Sequence, residues 1–316
     1  CISIIDFINM RITLRQIEVF AAIARTENVS RAAEALAMSQ SAASSALVEL
    51  ERQFDCPLFD RIGKSLRLNT TGRGLLPQAE NLLARAAEIE GFLAGGQLGP
   101  LAVGATMTIG NYLATLIVAD YLQQHPASRI DLKVANTRHI LDGVLRCELD
   151  IGLIEGEAND PDLVLETWQT DELVVFCTPE HPLAKGGRAT TEQLAEQPWI
   201  LRETGSGTRA LFDRAVAPQL ATLHIRLQLE HTEAIKRAVE AGLGLACLSR
   251  VALREAFRRG SLVELKTPQF DLQRNFHFVR HRQRHVSPAS RAFIELCRKV
   301  AEGANGERLP CADAIN

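Results

Sequence analysis

The seven cysteines of this 316-residue chain form no Cys-x-x-Cys pair. That absence argues against a disulfide framework or a zinc site and predicts reduced thiols in the cytoplasm. Cys147, Cys177 and Cys247 sit in apolar runs, where a small buried hydrophobe is expected. No apolar run approaches the roughly 20 residues that cross a bilayer, so no membrane partner is expected. Neither charge dominates: 35 basic residues face 38 acidic ones. A histone-like polycation is thereby disfavoured, and contact with nucleic acid must come from a local patch. No glycine-rich nucleotide loop follows a strand pattern, and Gly242-Leu243-Gly244 precedes one. Gly205-Ser206-Gly207 is not a nucleophile elbow, because Thr204 and Thr208 stand where that turn needs glycine. His277, His281 and His285 have no carboxylate pattern beside them, so no metal site is predicted. The chain is not expected to be an enzyme. Residues 1–9 are apolar but lack the basic start and cleavage site of a signal peptide. They read as a non-native leader before Met10.

What is present centres on Asn28–Phe59. Ser30 is the candidate N-cap of a short helix, Arg31–Leu36. Ala37-Met38 makes a turn, and Ser39 caps a longer helix to about Phe54. Ala43, Leu47, Leu50 and Phe54 recur at helical period on one face. Gln40, Ser41, Ser44 and Ser45 occupy the other: short, polar and uncharged. A surface meant only for solubility would favour Lys and Glu. Such a set suits a helix end that enters a major groove and reaches base edges and phosphates. A helical hairpin inside a core is the alternative. Next, Arg61–Arg73 resembles a β-hairpin wing with Arg61, Lys64, Arg67 and Arg73 and no acidic residue. Those cations, with Arg31, suit phosphate contacts, which supply most of the affinity for DNA.

Leu14-Arg15-Gln16-Ile17-Glu18-Val19-Phe20, SRAAEALAMSQSAASSALVELE, Cys56-Pro57-Leu58-Phe59-Asp60-Arg61 and LRLNTTGRGLLPQA together resemble the N-terminal domain of a LysR-type transcriptional regulator. The match runs from Met10 to about Phe92. Asp171–Thr178, Trp199–Arg209 and Glu233–Arg250 look most like the YeiE/CysL-like members. Many family members carry Pro where this chain has Ser41, and Arg where it has Ser45. The usual arginine contact to DNA is therefore missing, and no base preference carries over. The resemblance implies a winged helix-turn-helix joined to a two-lobed, periplasmic-binding-protein-like effector domain. It implies operator DNA as partner, with Ser39 beside the groove-facing set, and RNA polymerase as a further one. It also implies a small anionic effector and no other cofactor, a sulfur oxyanion such as sulfite being the candidate. A solute-binding protein fits the C-terminal two-thirds but not the helix-turn-helix.

Along the chain, Leu14–Thr26 is the first helix, with Leu14, Ile17, Phe20, Ala21 and Ala24 on one face. Thr70 or Thr71 caps a long helix to about Phe92. Its Leu75, Ala79, Leu82, Ala86, Ile89 and Leu93 form a heptad seam, which predicts a dimer through this helix. A tetramer through the effector domains is expected as well. Gly91, Gly95, Gly96, Gly99 and Pro100 predict a hinge. From Leu101 strands and helices alternate, which predicts α/β architecture with parallel sheets. The expected domains are residues 10–69 for DNA binding, 70–99 for the linker, 100–169 with 275–302 for lobe 1, and 170–274 for lobe 2. Residues 303–316 form a flexible tail. Crossovers between lobes are expected near Glu166–Thr170 and Gln273–Asn275. In open α/β sheets ligands bind beyond the C-terminal strand ends, at helix N-termini. That rule selects Thr106, Thr108, Asn136 and Thr137 in lobe 1, and Ser206, Gly207, Thr208 and Thr232 in lobe 2. Arg202 or Arg209 is a candidate charge partner for the anion.

Overall fold

A capping box starts the first helix of the computed structural model, which describes residues 11–62, 65–93, 98–156 and 158–304. In α1 (Leu14–Thr26) the Thr13 hydroxyl accepts from the Gln16 N–H at 3.1 Å, and the Thr13 N–H donates to Gln16 Oε1 at 2.9 Å. Ile17, Phe20, Ala21 and Ala24 are buried as expected, whereas Leu14, at the helix start, is exposed. α2 (Val29–Ala35) is capped by Asn28 instead of Ser30: Asn28 Oδ1 accepts from the Arg31 N–H at 3.1 Å. The chain leaves α1 through Glu27 in the left-handed region, so Asn28 is the extended residue before the helix. The turn into α3 (Gln40–Phe54) passes through Ala37 at φ 51°, which costs a non-glycine residue about 1 kcal/mol. Ser39 caps α3 through the Ala42 N–H. Ala43, Leu47 and Leu50 join the N-terminal core. Phe54, expected with them, overhangs that core at the helix end and lines an apolar groove with Ile12 and Leu75.

β1 (Phe59–Ile62) and β2 (Ser65–Leu68) form the antiparallel wing. Asn69, not Thr70 or Thr71, caps α4 (Thr70–Leu93), its Oδ1 accepting from the Gly72 N–H at 2.8 Å. A Cβ on Gly72 would lie 2.2 Å from the Leu58 carbonyl oxygen, so the wing and helix meet at that residue. α4 runs through Gly91, which therefore belongs to the helix and not to a hinge. Gly95 and Gly96, like Lys64, residues 1–10 and the tail from 305, lie outside the described residues. Leu76 and Ala79 pack on the N-terminal core, while Leu82, Ile89 and Leu93 are 46%, 62% and 77% exposed. Two of the six expected seam residues, Leu75 and Ala79, thus serve their own domain, and Leu82, Ile89 and Leu93 are uncovered.

Lobe 1 begins with β3 (Leu101–Thr106), α5 (Met107–Ile109), a π-helical turn at Gly110–Ala114 and α6 (Thr115–Gln124). The helical stretch thus begins directly after β3 and widens where the Thr115 hydroxyl donates to the Gly110 carbonyl at 2.8 Å. β4 (Ile130–Ala135), α7 (Thr137–Leu145) and β5 (Ile151–Glu155) follow. β6 (Leu163–Cys177) is one strand of 15 residues. Glu166–Thr170 lies inside it, so the first crossover is continuous strand and not a connection. Lobe 2 comprises α8 (Thr191–Ala195), β7 (Pro198–Arg202), α9 (Gly207–Ala215), β8 (His224–Leu229), α10 (Thr232–Glu240), β9 (Leu245–Ser249), α11 (Arg250–Arg259) and β10 (Val263–Leu265). β10 was not foreseen; it pairs with β6. β11 (Gln273–His281) returns to lobe 1, and α12 (Pro288–Ala304) closes it.

The strand order is β4-β3-β5-β11-β6-β9-β7-β8. β11 runs antiparallel between β5 and β6, and β6 is antiparallel to β9, so both sheets are mixed where parallel ones were expected. The parallel strands are β3, β4 and β5 in one lobe and β7, β8 and β9 in the other. Their C-terminal ends carry the polar loops. Separate apolar clusters fill lobe 1 around Phe276 and Phe293 and lobe 2 around Trp199 and Phe212. α4 also touches lobe 1: Asn81 Nδ2 donates to the Gln283 carbonyl at 2.6 Å, and His285 Nε2 lies 2.8 Å from Glu88 Oε1.

Candidate functional site

On α3 the first turns leave Ser39, Gln40, Ser41 and Ser45 exposed and Ser44 half-buried. Ser39 is occupied as a cap and lies 3.1 Å from the Ser41 hydroxyl. Arg31 is exposed on α2. Arg67 is exposed on β2 and lies 3.5 Å from Glu27. Arg73 is exposed and donates to the Leu68 carbonyl at 2.6 Å, which ties the start of α4 to the wing. Arg61 belongs to β1, but its side chain, like all of Lys64, lies outside the described residues. An exposed neutral face flanked by cations is the chemistry that a major groove and its phosphates require.

The effector loops meet across the lobes. Thr137 opens α7, and its hydroxyl accepts from the Gly207 N–H, the first of α9, at 3.2 Å. The approach demands glycine: a Cβ on Gly207 would lie 2.5 Å from the Glu155 carbonyl oxygen. Thr137, Ser206 and Gly207 line a 690 Å³ cavity together with Glu155. Asn136 and Ser206 spend their side-chain oxygens on capping α7 and α9. Thr106 is buried at the end of β3 and donates to the Leu153 carbonyl, and Thr108 is buried in α5. Thr232, at the start of α10, is buried with a hydroxyl that has no partner among the described residues. Tyr112 of lobe 1 donates to Glu233 of lobe 2, closing the two lobes over a second contact. Lys236 Nζ holds the same carboxylate at 2.7 Å.

Between the lobes lies a buried ionic cluster. Arg274 Nε donates to Asp171 Oδ2 at 2.7 Å, and its Nη1 donates to the Thr208 hydroxyl at 3.0 Å. The Ser249 hydroxyl donates to the other Asp171 oxygen at 2.7 Å. Burial pushes the Asp171 carboxyl above its ordinary range, against the pull of Arg274. Arg274 Nη2 forms a long ion pair with Glu155 Oε1 at 3.9 Å, and both atoms are buried without a hydrogen-bond partner among the described residues. Arg202 and Arg209, expected near the anion, are committed elsewhere. Arg202 pairs with Glu203 at 2.8 Å, and Arg209 with Asp213 at 2.7 Å. Arg138 lines the cavity, and Arg274 is a buried basic group between the lobes that sequence reasoning missed. A signal existed: Arg274 alternates in phase with Phe276 and Phe278 on the buried face of β11. A charge in phase with a buried face needs a partner.

Residues 14–73 match the model of the bacterial regulatory helix-turn-helix protein, lysR family, and residues 94–302 match the LysR substrate binding domain. The chain is 43% identical over 288 residues to the uncharacterized HTH-type transcriptional regulator YeiE of Escherichia coli (strain K12), covering 91% of this chain and 98% of that protein. Among solved structures, a full-length OxyR variant from Pseudomonas aeruginosa is 23% identical with a TM-score of 0.71, over 92% of this chain and 95% of that one. The Synechocystis PCC6803 CcmR regulatory domain, solved in complex with 2-PG, is 26% identical with a TM-score of 0.59, over 65% of this chain and 98% of that one.

Proposed function

The chain belongs to the LysR family of transcriptional regulators, with a helix-turn-helix domain and an effector-binding domain, and from that premise we propose that a small anion held between the two lobes controls its binding to DNA. One observation carries the reading: Arg274 Nη2 and Thr232 Oγ1 are buried donors with no hydrogen-bond partner among the described residues. Unmade hydrogen bonds of that kind cost about 1–3 kcal/mol each and are repaid by a ligand that accepts them. The Thr108 and Thr208 hydroxyls and the helix N-terminus at Ser206–Thr208 complete an anion-favouring lining with Thr106, Asn136 and Thr137. That the CcmR regulatory domain was solved with 2-PG supports a small-molecule ligand for this architecture. A sulfur oxyanion such as sulfite heads the compounds to be tried. Anion binding would draw the lobes together about β6 and β11, and closure shifts the assembly only as far as the ligand prefers the closed state.

At the other end of the molecule, Gln40, Ser41, Ser44 and Ser45 read bases while Arg31, Arg61, Lys64 and Arg67 hold phosphates. The uncovered stripe Leu82, Ile89 and Leu93 pairs with a second copy. Two half-sites then supply the specificity that one small module lacks. We place the protein in the cytoplasm, as a dimer or tetramer on its operator. The test is a thermal-shift screen of small anions on the full chain, followed by titration calorimetry. A specific ligand raises the midpoint. Thr108→Val with Thr208→Val should weaken the anion by about 1–3 kcal/mol. Undiminished affinity in that double variant rejects the crevice as the site.

A further inference from the structure

The wing is a ribbon of two strands with four residues each. A lone pair of that size is marginal in water, so its angle to α3 is set at its base. Two residues hold the main chain there. The Glu51 carboxylate accepts from the Leu58 N–H at 2.7 Å. Asn69 takes the carbonyls: its N–H donates to the Leu58 oxygen at 3.1 Å, and its Nδ2 donates to the Pro57 oxygen at 2.8 Å. Asn69 follows β2 and caps α4, so it ties the two ends of the wing to each other. Glu51 belongs to α3 and ties the wing to the helix that bears the groove-facing set. Its main-chain carbonyl also accepts from the Cys56 N–H at 3.0 Å.

A carboxylate on a DNA-binding module repels phosphates, so its presence calls for another role. Leu58 is 4% exposed, and a main-chain N–H in such a place needs an acceptor. A charged acceptor makes the shorter and stronger bond. The leverage is large. Ile62, at the far end of β1, lies about 13 Å along the strand from Leu58, so a tilt of about 10° at the base moves it by about 2 Å. Hydrogen bonds to phosphate do not survive such a displacement.

Building on the reading in which the wing holds phosphates, we infer that Glu51 is a positioning residue for DNA binding. Its carboxylate fixes the wing at the angle that lets Arg67 reach the backbone while the start of α3 occupies the groove. It acts through the wing and not by touching DNA.

Two conservative variants separate the contact from the charge. Glu51→Gln keeps an acceptor at full reach and loses the charge. Glu51→Asp keeps the charge but is shorter by one carbon–carbon bond, about 1.5 Å, and so loses the Leu58 N–H. Each full chain is titrated onto a fluorescent mixed-sequence duplex across a salt series, at a temperature where melting shows it folded. Glu51→Asp should bind about tenfold more weakly, with a salt slope lower by about one to two units as phosphate contacts are lost. Glu51→Gln should keep the wild-type slope and bind as tightly or more tightly. Arg67→Ala added to Glu51→Asp should cost nothing further, because Arg67 is already disengaged. Wild-type affinity and slope in Glu51→Asp overturn the inference, and Glu51 then serves packing alone. A lowered slope in Glu51→Gln overturns it too, because the charge and not the contact then matters. Additive losses from Arg67→Ala and Glu51→Asp show that Glu51 does not act through the wing. If the wild-type chain binds no duplex even at low salt, the DNA-binding reading itself fails and this inference with it.

Discussion

The first turn of α3 and the interlobe crevice are both dense in polar groups, and they are built by opposite means. α3 carries Gln40, Ser41 and Ser45 on one short exposed stretch, held by local capping and by an apolar face of Ala43, Leu47 and Leu50. The crevice collects Glu155, Asp171, Thr208, Ser249 and Arg274 from five separate elements and buries them. Exposed hydroxyls and amides remain hydrated, so little stability depends on them. Buried charges must satisfy one another or unfold the domain. Function can therefore be varied cheaply on α3, whereas in the crevice binding and stability are coupled through shared atoms.

The strongest way to break this contrast is at Arg274. Arg274→Met strands Asp171 and Glu155 and should cost about 3–5 kcal/mol in chemical denaturation. Ser45→Ala should stay within about 0.5 kcal/mol. Equal costs would mean that the crevice charges are as well hydrated as the helix face. Next comes the linker. Leu82→Asp places a charge in the uncovered stripe and should weaken self-association by about 2–3 kcal/mol in sedimentation equilibrium, with little change in monomer melting. An unchanged association constant would show that α4 pairs through another face. Smaller effects are expected on DNA. Gln40→Ala should reduce discrimination between operator and random duplex by about 1–2 kcal/mol. Lys64→Ala should weaken both duplexes alike and lower the salt slope by about one unit. If Gln40→Ala weakens both equally, base reading belongs to other residues.

The least effect is expected at the thiols. Burial pushes Cys177 up to about 11 and Cys247 up to about 12. Both should resist alkylation in the folded chain at pH 8 and react on unfolding, as mass spectrometry would report. Their folded values lie above the unfolded one, about 8.5. The folded state thus holds these protons more tightly, and its stability should fall as pH rises through that window. Labelling of Cys247 before global unfolding would reveal local opening of lobe 2.

How much was legible depends on how local each feature is. The α1 bounds and the Ser39 cap follow from neighbouring residues, and the structure reproduces them. The short helix was displaced because Glu27 enters the left-handed region and makes Asn28 the cap, a backbone choice that Ser30 does not reveal. In the effector domain the alternation of strands and helices was readable, but strand direction was not. β11 sits antiparallel between β5 and β6 because the chain comes back from lobe 2, and no local pattern encodes that return. Arg202 and Arg209 were nominated because they flank a helix start. Glu203 and Asp213, their sequence neighbours, claim them instead.

By itself the sequence determined the helix-turn-helix, the wing and the apolar stripe of α4, because each rests on periodicity, capping or turn chemistry within a few residues, whereas the two-lobed layout was implied by the family resemblance. It also placed polar loops at the helix starts that follow parallel strands. Only the tertiary structure decided which of those groups meet. Thr137 and Gly207 become partners across the lobes, and Arg274 comes to lie between Asp171, Thr208 and Glu155. The physical reason is that hydrogen bonds and ion pairs act over about 3–4 Å. The segments that bring these atoms so close are separated along the chain and joined by continuous strands whose course depends on the whole sheet.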